Sequence, residues 1–207
     1  MIVVHHLNDS RSQRILWLLE ELGLPYEIAP YQRDPETRLA PAALRAIHPL
    51  GKSPVITDGD RTIAESGAII EYIIRHHGGG RLQPAAGTTD HDAYSHWLHY
   101  AEGSAMAALL LRIVVSRLGE VGAPLMPRLD HELALHLGYI NNHLADRPYL
   151  LGQEFTAADI QTSFVGELAA ARLGLVAYPH VADWVKRFQA RPAYQAALKR
   201  GGPYSFA

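Results

Sequence analysis

The first third of the chain alternates between strand-like and helix-like patterns of apolar residues. Residues 2–6 form a short apolar run typical of a buried strand, and residues 11–22 carry a helical stripe of apolar side chains that Gly23 ends. The apolar positions of that stripe are Ile15, Leu18, Leu19 and Leu22. Residues 26–29 predict a second strand, and residues 42–47 predict a short helix.

Two further strands and a helix follow in the same region. The stretch PVITDGDRTIAE predicts two strands joined at Asp58-Gly59-Asp60, a sequence typical of a hairpin turn. Residues 66–76 then place several isoleucines on one helical face. The element order is therefore βαβαββα, which predicts an α/β domain over residues 1–78.

The pattern changes after a linker rich in glycine and proline, HHGGGRLQPAAGTT. Beyond this linker no strand pattern recurs, and the apolar positions follow the helical period. The predicted helices span residues 90–117, 127–145, 157–173 and 180–190, with a shorter one at 193–199. We therefore predict a second domain, an all-α helical bundle, over residues 88–207.

Composition narrows the classes of function. The 207 residues include 19 Lys and Arg and 21 Asp and Glu, and the net charge of −2 argues against nucleic acid or an anionic membrane as the main partner. The N-terminus lacks the basic and apolar segments of a secretory signal. The longest apolar run, residues 105–111, is far shorter than a bilayer span. These features predict a soluble, cytoplasmic protein.

Histidine spacing and the lack of cysteine bear on metal and thiol chemistry. The chain has 12 histidines, but their spacings do not match a metal motif; His131, for example, is followed by His136 at i+5, off the helical face that zinc motifs use. The chain has no cysteine, which excludes disulfides, thiolate metal ligands and a cysteine nucleophile. We therefore predict no metal site.

The segment NDSRSQR, between the first strand and the first helix, supports two interpretations. Ser10 and Gln13 match the S-x-x-Q capping box, which predicts a structural role at the start of the helix. A helix N-terminus also favours a bound anion such as a thiolate, so the Ser10 hydroxyl is a candidate ligand-binding group as well.

Two later segments are further candidates for ligand binding. Pro54 stands at a strand entry, where a cis peptide bond would turn the backbone of Val55 toward an extended ligand. Glu65 and Ser66 begin a helix, with Ser66 as the expected N-cap, and together they offer an acceptor and a donor for an ammonium and a carboxylate. The TAAD sequence at residues 156–159 predicts a capping box with a folding role.

Taken together, these features resemble the cytosolic glutathione transferases. The turn at Ser10, the KSPV sequence at residues 52–55 and ESGAIIEYI from residue 65 are similar to the thioredoxin-like N-terminal domain of that family. The linker, the helical second half and GQEFTAADI at residues 152–160 are similar to its C-terminal domain. The stretch SRSQRILWLLEELGLPYE is most similar to bacterial and fungal members that use a serine in the site.

The resemblance implies roles for individual residues. Ser10 would donate its hydroxyl to the glutathione sulfur, with Ser12 and Asn8 as alternatives. Val55 would pair its backbone with the cysteinyl part of the tripeptide, next to a cis Pro54. The remaining expected contacts are Ser53, then Glu65 and Ser66 at the γ-glutamyl end, and Lys52 or alternatively Arg38 at the glycyl carboxylate.

The resemblance also implies a reaction and an assembly. Glutathione would be the cosubstrate, and its sulfur would attack an electrophilic small molecule held between the Ser10 turn and the first long helix of the second domain, with Tyr100 and Met106 as pocket walls. Because cysteine is absent, thiol transfer through a protein cysteine is excluded. Reduction of organic hydroperoxides, or non-catalytic binding of glutathione or another ligand, are the alternatives. A homodimer with a role in detoxification is expected.

Overall fold

The computed structural model describes all 207 residues, which form two compact units. The first unit contains Met1–Leu82 together with Gln189–Ala207, and the second contains Gln83–Phe188. The first unit holds a four-stranded mixed sheet with helices, and the second is helical. The predicted fold class, a thioredoxin-like domain followed by a helical one, is therefore confirmed.

The strands of the first unit are β1 (Ile2–Leu7), β2 (Tyr26–Tyr31), β3 (Val55–Asp58) and β4 (Arg61–Ala64). Their order in the sheet is β2–β1–β3–β4. β1 runs parallel to β2 and antiparallel to β3, and β3 and β4 form the predicted hairpin. Because β1 is an interior strand, nearly all of its side chains are buried, which fits its short apolar run.

The α-helices are α1 (Ser12–Leu22), α2 (Ala43–Ile47), α3 (Ser66–His76), α4 (Thr89–Tyr100), α5 (Met106–Ser116), α6 (Met126–His143), α7 (Ala157–Leu173), α8 (Pro179–Gln189) and α9 (Pro192–Gly201). A π-helical turn over Ala101–Ala105 joins α4 to α5, and two short 3-10 turns precede α6. The helical and strand periods of the sequence thus predicted most of the elements, with small differences at their ends. The single helix predicted over residues 90–117 is instead two α-helices, α4 and α5, joined by the π-helical turn, an interruption that the apolar period does not reveal.

Helix α1 is central to the first unit. It contacts β1, α3 and α9, and nine of its eleven residues are buried. The helix ends at Gly23, whose φ of 62° lets its N–H bond to the carbonyl of Glu20. That left-handed conformation favours glycine, which explains why the apolar stripe stops there.

The last helix of the chain belongs to the first unit. Tyr194 of α9 meets Trp17 of α1 edge-on, with 5.2 Å between the ring centroids. Arg191 forms a bidentate ion pair with Glu21, with Nε–Oε1 and Nη2–Oε2 distances of 2.6 and 2.9 Å. The predicted second domain, residues 88–207, therefore differs from the second unit, which ends at Phe188. The reason is that α9 buries its apolar face against a helix far away in sequence.

The second unit is built around α7, whose first thirteen residues are all buried. The predicted capping box is present: the Thr156 hydroxyl accepts the N–H of Ala158, and the Asp159 carboxylate accepts the N–H of Thr156. Asp159 also accepts the N–H of Leu150 and the indole N–H of Trp184. Burial raises the pKa of Asp159 to about 6, although these hydrogen bonds act to lower it.

The helical stretch Thr89–Ser116, from α4 to α5, is 28 residues long and, by length and composition alone, apolar enough to cross a membrane. A core helix of a globular protein can be equally long and apolar. Within the second unit, α4 contacts α7, and α5 contacts both α6 and α7. These contacts are those of a helix in a bundle.

Candidate functional site

The turn between β1 and α1 holds Ser10, but Ser10 does not cap the helix as predicted. α1 begins at Ser12, with Arg11 in the N-cap position and no side-chain cap. The Ser10 Oγ accepts the N–H of Ser12 at 3.2 Å, and the buried side-chain amide of Gln13 makes no hydrogen bond. The capping-box prediction is therefore wrong, because the helix starts one residue later than the motif requires.

Three hydroxyls meet at this turn, those of Ser10, Ser12 and Ser53, and we call them the serine cluster. The Oγ of Ser10 lies 2.7 Å from that of Ser12 and 3.4 Å from that of Ser53. The Ser53 hydroxyl itself donates to the carbonyl of His5 at 2.9 Å. Ser12 is fully enclosed, Ser10 is 3% exposed, and Ser53 is half-exposed. Ser10 is thus the outer member of the closely bonded Ser10–Ser12 pair.

A histidine that the sequence did not single out as a site residue closes the inner end of the cluster. The Nδ1 of His6 lies 2.9 Å from the Ser12 Oγ, and the ring also forms a hydrogen bond with the backbone of Gly201. Burial lowers the pKa of His6, and the bond to Gly201 acts in the opposite direction. The adjacent His5 points to the other face of the sheet, where it meets Tyr31, because side chains alternate along a strand.

Asn8 and Arg38 are engaged in holding the turn. The Oδ1 of Asn8 accepts the N–H of Arg33 at 2.8 Å. The guanidinium of Arg38 bonds to one carboxylate oxygen of Asp9 at 3.0 Å, and the N–H of Ser205 bonds to the other at 2.9 Å. Burial acts to raise the pKa of Asp9, but the hydrogen bonds from Ser205 and Arg38 outweigh it and lower the pKa. Both side chains therefore have structural partners near Ser10.

The KSPV segment leads into β3. The Ser53–Pro54 peptide bond is cis. Val55 is 1% exposed and pairs with Ala64 in the β3–β4 ladder, whereas Ser53 lies just outside the ladder. Lys52 is exposed. Of these four residues, Ser53 is the one whose side chain belongs to the serine cluster.

The start of α3 is joined to α1 by one buried side-chain hydrogen bond, between Ser66 and Arg14. Ser66 is the first residue of the helix and Glu65 occupies the N-cap position with φ of 70°, so the prediction of Ser66 as the N-cap is wrong by one residue. The physical reason is that the backbone leaves the helical conformation at Glu65. The backbone N–H groups of Ser66, Gly67 and Ala68 have no hydrogen-bond partner within the helix, which is the usual basis of an anion site.

Arg14 supplies that buried contact, a role that the apolar period of α1 did not indicate. Its Nη1 donates to the Ser66 Oγ at 3.4 Å, and the residue is 1% exposed. Arg14 follows Ser10 by about one helical turn, so the γ-glutamyl candidates and the serine cluster share the same end of α1. The signal in the sequence was a cation inside an apolar helix, an arrangement that is rare without a partner.

The two residues expected to line an electrophile pocket lie in the second unit. The hydroxyl of Tyr100 bonds to the Nδ1 of His136 at 2.8 Å, and its ring stacks on that of His96 at 5.6 Å between centroids. Burial, together with the neighbouring Tyr139, raises the pKa of Tyr100. Met106 begins α5 and is 1% exposed. Both residues have packing roles in their own unit, and their place in a pocket stays a prediction.

The first unit thus presents hydroxyls, one neutral imidazole and free helix amides at one end of α1. Hydroxyl and amide donors form their strongest hydrogen bonds with anions, such as a thiolate or a carboxylate. The structure contains no group of three or more His, Asp or Glu side chains placed to hold a metal ion. The arrangement can stabilise a bound anion through hydrogen bonds.

Comparison with known proteins identifies the family. Residues 10–76 match the family model for the glutathione S-transferase N-terminal domain, and residues 100–192 match that for the C-terminal domain. Glutathione S-transferase 3 of Schizosaccharomyces pombe is 36% identical over 97% of this chain and 88% of its own length.

Solved structures agree with this assignment. A glutathione S-transferase from Actinobacillus pleuropneumoniae superposes with a TM-score of 0.92 at 32% identity, over 99% of this chain and 94% of that one. A glutathione transferase family member from Pseudomonas fluorescens, crystallised with two glutathione molecules bound, gives 0.79 at 27% identity, over 95% and 92% of the two chains. With both domain models and a full-length relative matched, this chain belongs to the glutathione S-transferase family.

Proposed function

We propose that this protein is a glutathione transferase that stabilises the thiolate of bound glutathione with the hydroxyl of Ser10 and directs the sulfur at an electrophilic small molecule. The observation that carries the proposal is the position of Ser10, at the β1–α1 turn and on the outer side of its bond to Ser12. The related protein from Pseudomonas fluorescens binds glutathione, which supports the same cosubstrate here.

Hydrogen bonding is strong enough to activate the thiol. A free thiol has a pKa of about 8.5 and is only a few per cent ionised near neutral pH. Lowering that pKa by about two units requires about 2.7 kcal/mol of preferential stabilisation of the anion. One hydroxyl bond to a charged acceptor contributes about 1.5–3 kcal/mol, and the positive end of α1 adds about 0.3–1 kcal/mol. These two contributions reach the required value.

The backbone next to Pro54 is proposed to hold the cysteinyl part of glutathione. Val55 was expected to offer its N–H and C=O, but it is buried and paired with Ala64 in the sheet. Ser53 lies outside the ladder, is half-exposed and reaches Ser10. We therefore assign the backbone contact to Ser53, with Val55 fixing the strand behind it.

The start of α3 is proposed to hold the γ-glutamyl end. The exposed carboxylate of Glu65 would bind the ammonium group, and the free amides that begin at Ser66 would bind the carboxylate. At the other end of the tripeptide, Lys52 is exposed, whereas Arg38 is paired with Asp9. Lys52 is therefore the better candidate for the glycyl carboxylate.

Replacement of Ser10 by alanine tests the central role. Loss of one hydrogen bond to a charged acceptor predicts a fall in kcat of about ten- to a hundredfold, because about 1.4 kcal/mol corresponds to a factor of ten. Glutathione affinity should change much less, since most of the tripeptide contacts remain. The pKa of the bound thiol, followed by thiolate absorbance in the ultraviolet, should rise toward its value in water.

Two other serines complete this experiment. Ser163→Ala is the matched control, because Ser163 is also buried but bonds only to the Ile160 carbonyl in the second unit; its kinetics should equal those of the wild type. Ser12→Ala is measured in parallel. Unchanged turnover in Ser10→Ala together with a loss in Ser12→Ala would contradict the assignment of the thiolate contact to Ser10.

Three activities of the family fold are separated by substrate tests on the wild type. Isothermal titration with glutathione establishes binding, and turnover of an aryl halide and of cumene hydroperoxide is then measured side by side. Transferase turnover supports the proposal. Turnover of the hydroperoxide alone would favour a peroxidase, which uses the same thiolate, and binding without either reaction would favour a non-catalytic carrier.

We further propose, on the grounds of family membership, that the protein is a homodimer in the cytoplasm with a role in detoxification. The chain has a mass of 22.8 kDa. Sedimentation equilibrium should therefore give twice that mass, and a monomer mass at micromolar concentration would contradict the dimer.

A further inference from the structure

His6 lies at the inner end of a continuous chain of hydrogen bonds that begins at Ser10. The Oγ atoms of Ser10 and Ser12 are 2.7 Å apart, and the Ser12 Oγ is 2.9 Å from the His6 Nδ1. All three side chains are buried, with exposures of 3%, 0% and 5%. The chain thus runs from the outer hydroxyl of the site to an imidazole in the interior.

The end of α9 determines where the hydrogens of this chain lie. The backbone of Gly201 bonds to His6, and the Nε2 side of the ring faces it, since a Cβ built on Gly201 would lie 3.3 Å from Nε2. The carbonyl of a last helical residue has no partner in its own helix and can only accept. The proton of the neutral ring is therefore on Nε2, and Nδ1 is left as an acceptor.

The two serines are oriented in turn by this imidazole. Ser12 donates to the His6 Nδ1 at 2.9 Å, because a ring nitrogen without a proton can only accept; the Leu7 carbonyl is farther away, at 3.3 Å. With its single hydrogen used, the Ser12 Oγ is the acceptor for Ser10 at 2.7 Å, and it is much closer to Ser10 than the other available acceptor, the Ser53 Oγ at 3.4 Å. The hydrogen of Ser10 therefore points inward, and a lone pair of its Oγ faces outward to receive the S–H of an incoming thiol.

We propose that His6 is the terminal acceptor of the glutathione thiol proton, reached through Ser10 and Ser12. The S–H bond breaks as its proton passes to the Ser10 Oγ, the Ser10 proton passes to Ser12, and the Ser12 proton forms a new bond to the His6 Nδ1. Each hydroxyl gives one proton and gains one, so the products are a thiolate and an imidazolium. The Ser10 hydrogen then points at the sulfur, as the proposed function on which this inference rests requires.

The surroundings of His6 keep its ring neutral before glutathione binds, so that Nδ1 is free to accept a proton. Burial lowers its pKa and the Gly201 carbonyl raises it, and no charged side chain contributes to the shift. The titratable and charged groups on the elements packed around it are His5 on β1, Tyr26, Glu27 and Tyr31 on β2, Asp58 on β3, Arg14, Glu20 and Glu21 on α1, and Tyr194, Lys199 and Arg200 on α9. The ring is thus free of a fixed counter-ion, and the thiolate formed at the other end of the chain supplies the compensating charge.

Two variants separate proton acceptance from mere packing. His6→Asn keeps an acceptor oxygen near the position of Nδ1 but cannot take a proton, and Ser12→Ala interrupts the chain. His5→Asn is the matched control, because His5 is the adjacent buried histidine of β1 and its ring bonds to Tyr31 and Thr57 instead. Urea unfolding of each variant establishes that it is folded.

The readout is the ionisation of bound glutathione against pH, with kcat/KM for an aryl halide over the same range. In His6→Asn and Ser12→Ala we expect the pKa of the bound thiol to rise by at least about one unit, equivalent to a tenfold loss of kcat/KM below that pKa. Above about pH 9 the thiol ionises into solvent, and the variants should approach the wild type. His5→Asn should follow the wild-type profile throughout.

Any other result contradicts this proton relay, by which we mean the transfer from the glutathione thiol through Ser10 and Ser12 to His6. A wild-type profile in His6→Asn would mean that the ring receives no proton, and a loss of equal size at every pH would mean that His6 has a packing role only. If His6→Asn does not fold, Ser12→Ala carries the test by the same criteria. The wild-type titration separates this inference from the proposed function: a wild type that fails to bind glutathione contradicts the function itself, whereas normal wild-type turnover with unaltered variant profiles contradicts only the relay.

Discussion

Addition of one methyl group at Gly166 should destabilise the second unit. Gly166 lies in α7, where a Cβ would be 2.8 Å from the Val185 Cγ2 and 2.9 Å from the Trp184 Cζ3. Non-bonded carbons pack best at about 3.5–4.0 Å, so the overlap is more than half an ångström. The indole of Trp184 is fully buried, which leaves the ring no space to move away from the new methyl group.

The expected magnitude is the difference between two effects. Overpacking a filled core costs about 1–3 kcal/mol. Replacing a helical glycine by alanine recovers up to about 1 kcal/mol through helix propensity. The net change for Gly166→Ala is therefore a loss of up to about 2 kcal/mol, which for a chain of this size lowers Tm by up to about 8 °C.

Gly138→Ala supplies the same chemical change without the overlap. Gly138 lies in α6, and no atom is within 4 Å of the Cβ position. This variant should gain about 0.5–1 kcal/mol, so the two substitutions differ in sign. Urea unfolding of both variants at a fixed pH gives the comparison. A Gly166→Ala protein as stable as Gly138→Ala would refute the reasoning, because it would mean that α7 and α8 separate at no cost.

Two further predictions concern the first unit. Arg191→Met keeps the aliphatic stem but breaks the bidentate ion pair with Glu21, which is 9% exposed. We expect the free energy of unfolding to fall by about 1–3 kcal/mol and amide hydrogen exchange in α9 to become faster. Unchanged exchange in α9 would contradict a stabilising role for the ion pair. Asp9 has a lowered pKa, so its contribution to stability is present above its ordinary pKa of 3.8 and is lost as the pH falls through the folded-state value. Asp9→Asn should therefore lose less stability in acid than the wild type does, as measured by the free energy of unfolding at stepwise lower pH. If the two proteins lose the same amount of stability as the pH falls, the Asp9 carboxylate does not hold the turn.

Local sequence patterns predicted most of the helices and strands, because the formation of these elements depends mainly on residues that are close together in the chain. The apolar stripe of residues 11–22 and the buried run of residues 2–6 correspond to α1 and β1. The capping box at Thr156 and Asp159 is also local, since all of its partners lie within one helical turn, and it is present. The two caps predicted at Ser10 and Ser66 failed by one residue, because a cap depends on where the backbone leaves the helix and the side-chain pattern does not specify that point.

The sequence predicted which segments form the candidate site, but it did not predict which side chains contact one another within it. The sequence singled out Ser10, Ser12 and Ser53, and the structure joins their hydroxyls. It did not indicate Arg14 or His6, although both are buried polar residues within elements that were predicted correctly. Periodicity reports which face of an element is apolar, and it carries no information about which distant polar group satisfies a buried side chain.

The sequence by itself determined the order of elements, the change from an α/β to a helical pattern and the absence of cysteine. It also determined the polar turn whose hydroxyls are candidates for binding the glutathione sulfur. Only the tertiary structure decided that α9 packs against α1, which brings the Gly201 carbonyl to His6 and so orients the hydrogens of Ser12 and Ser10. The physical reason is distance along the chain: Gly201 and His6 are far apart in sequence, and a hydrogen bond between them exists only after the apolar faces of two helices have been buried together.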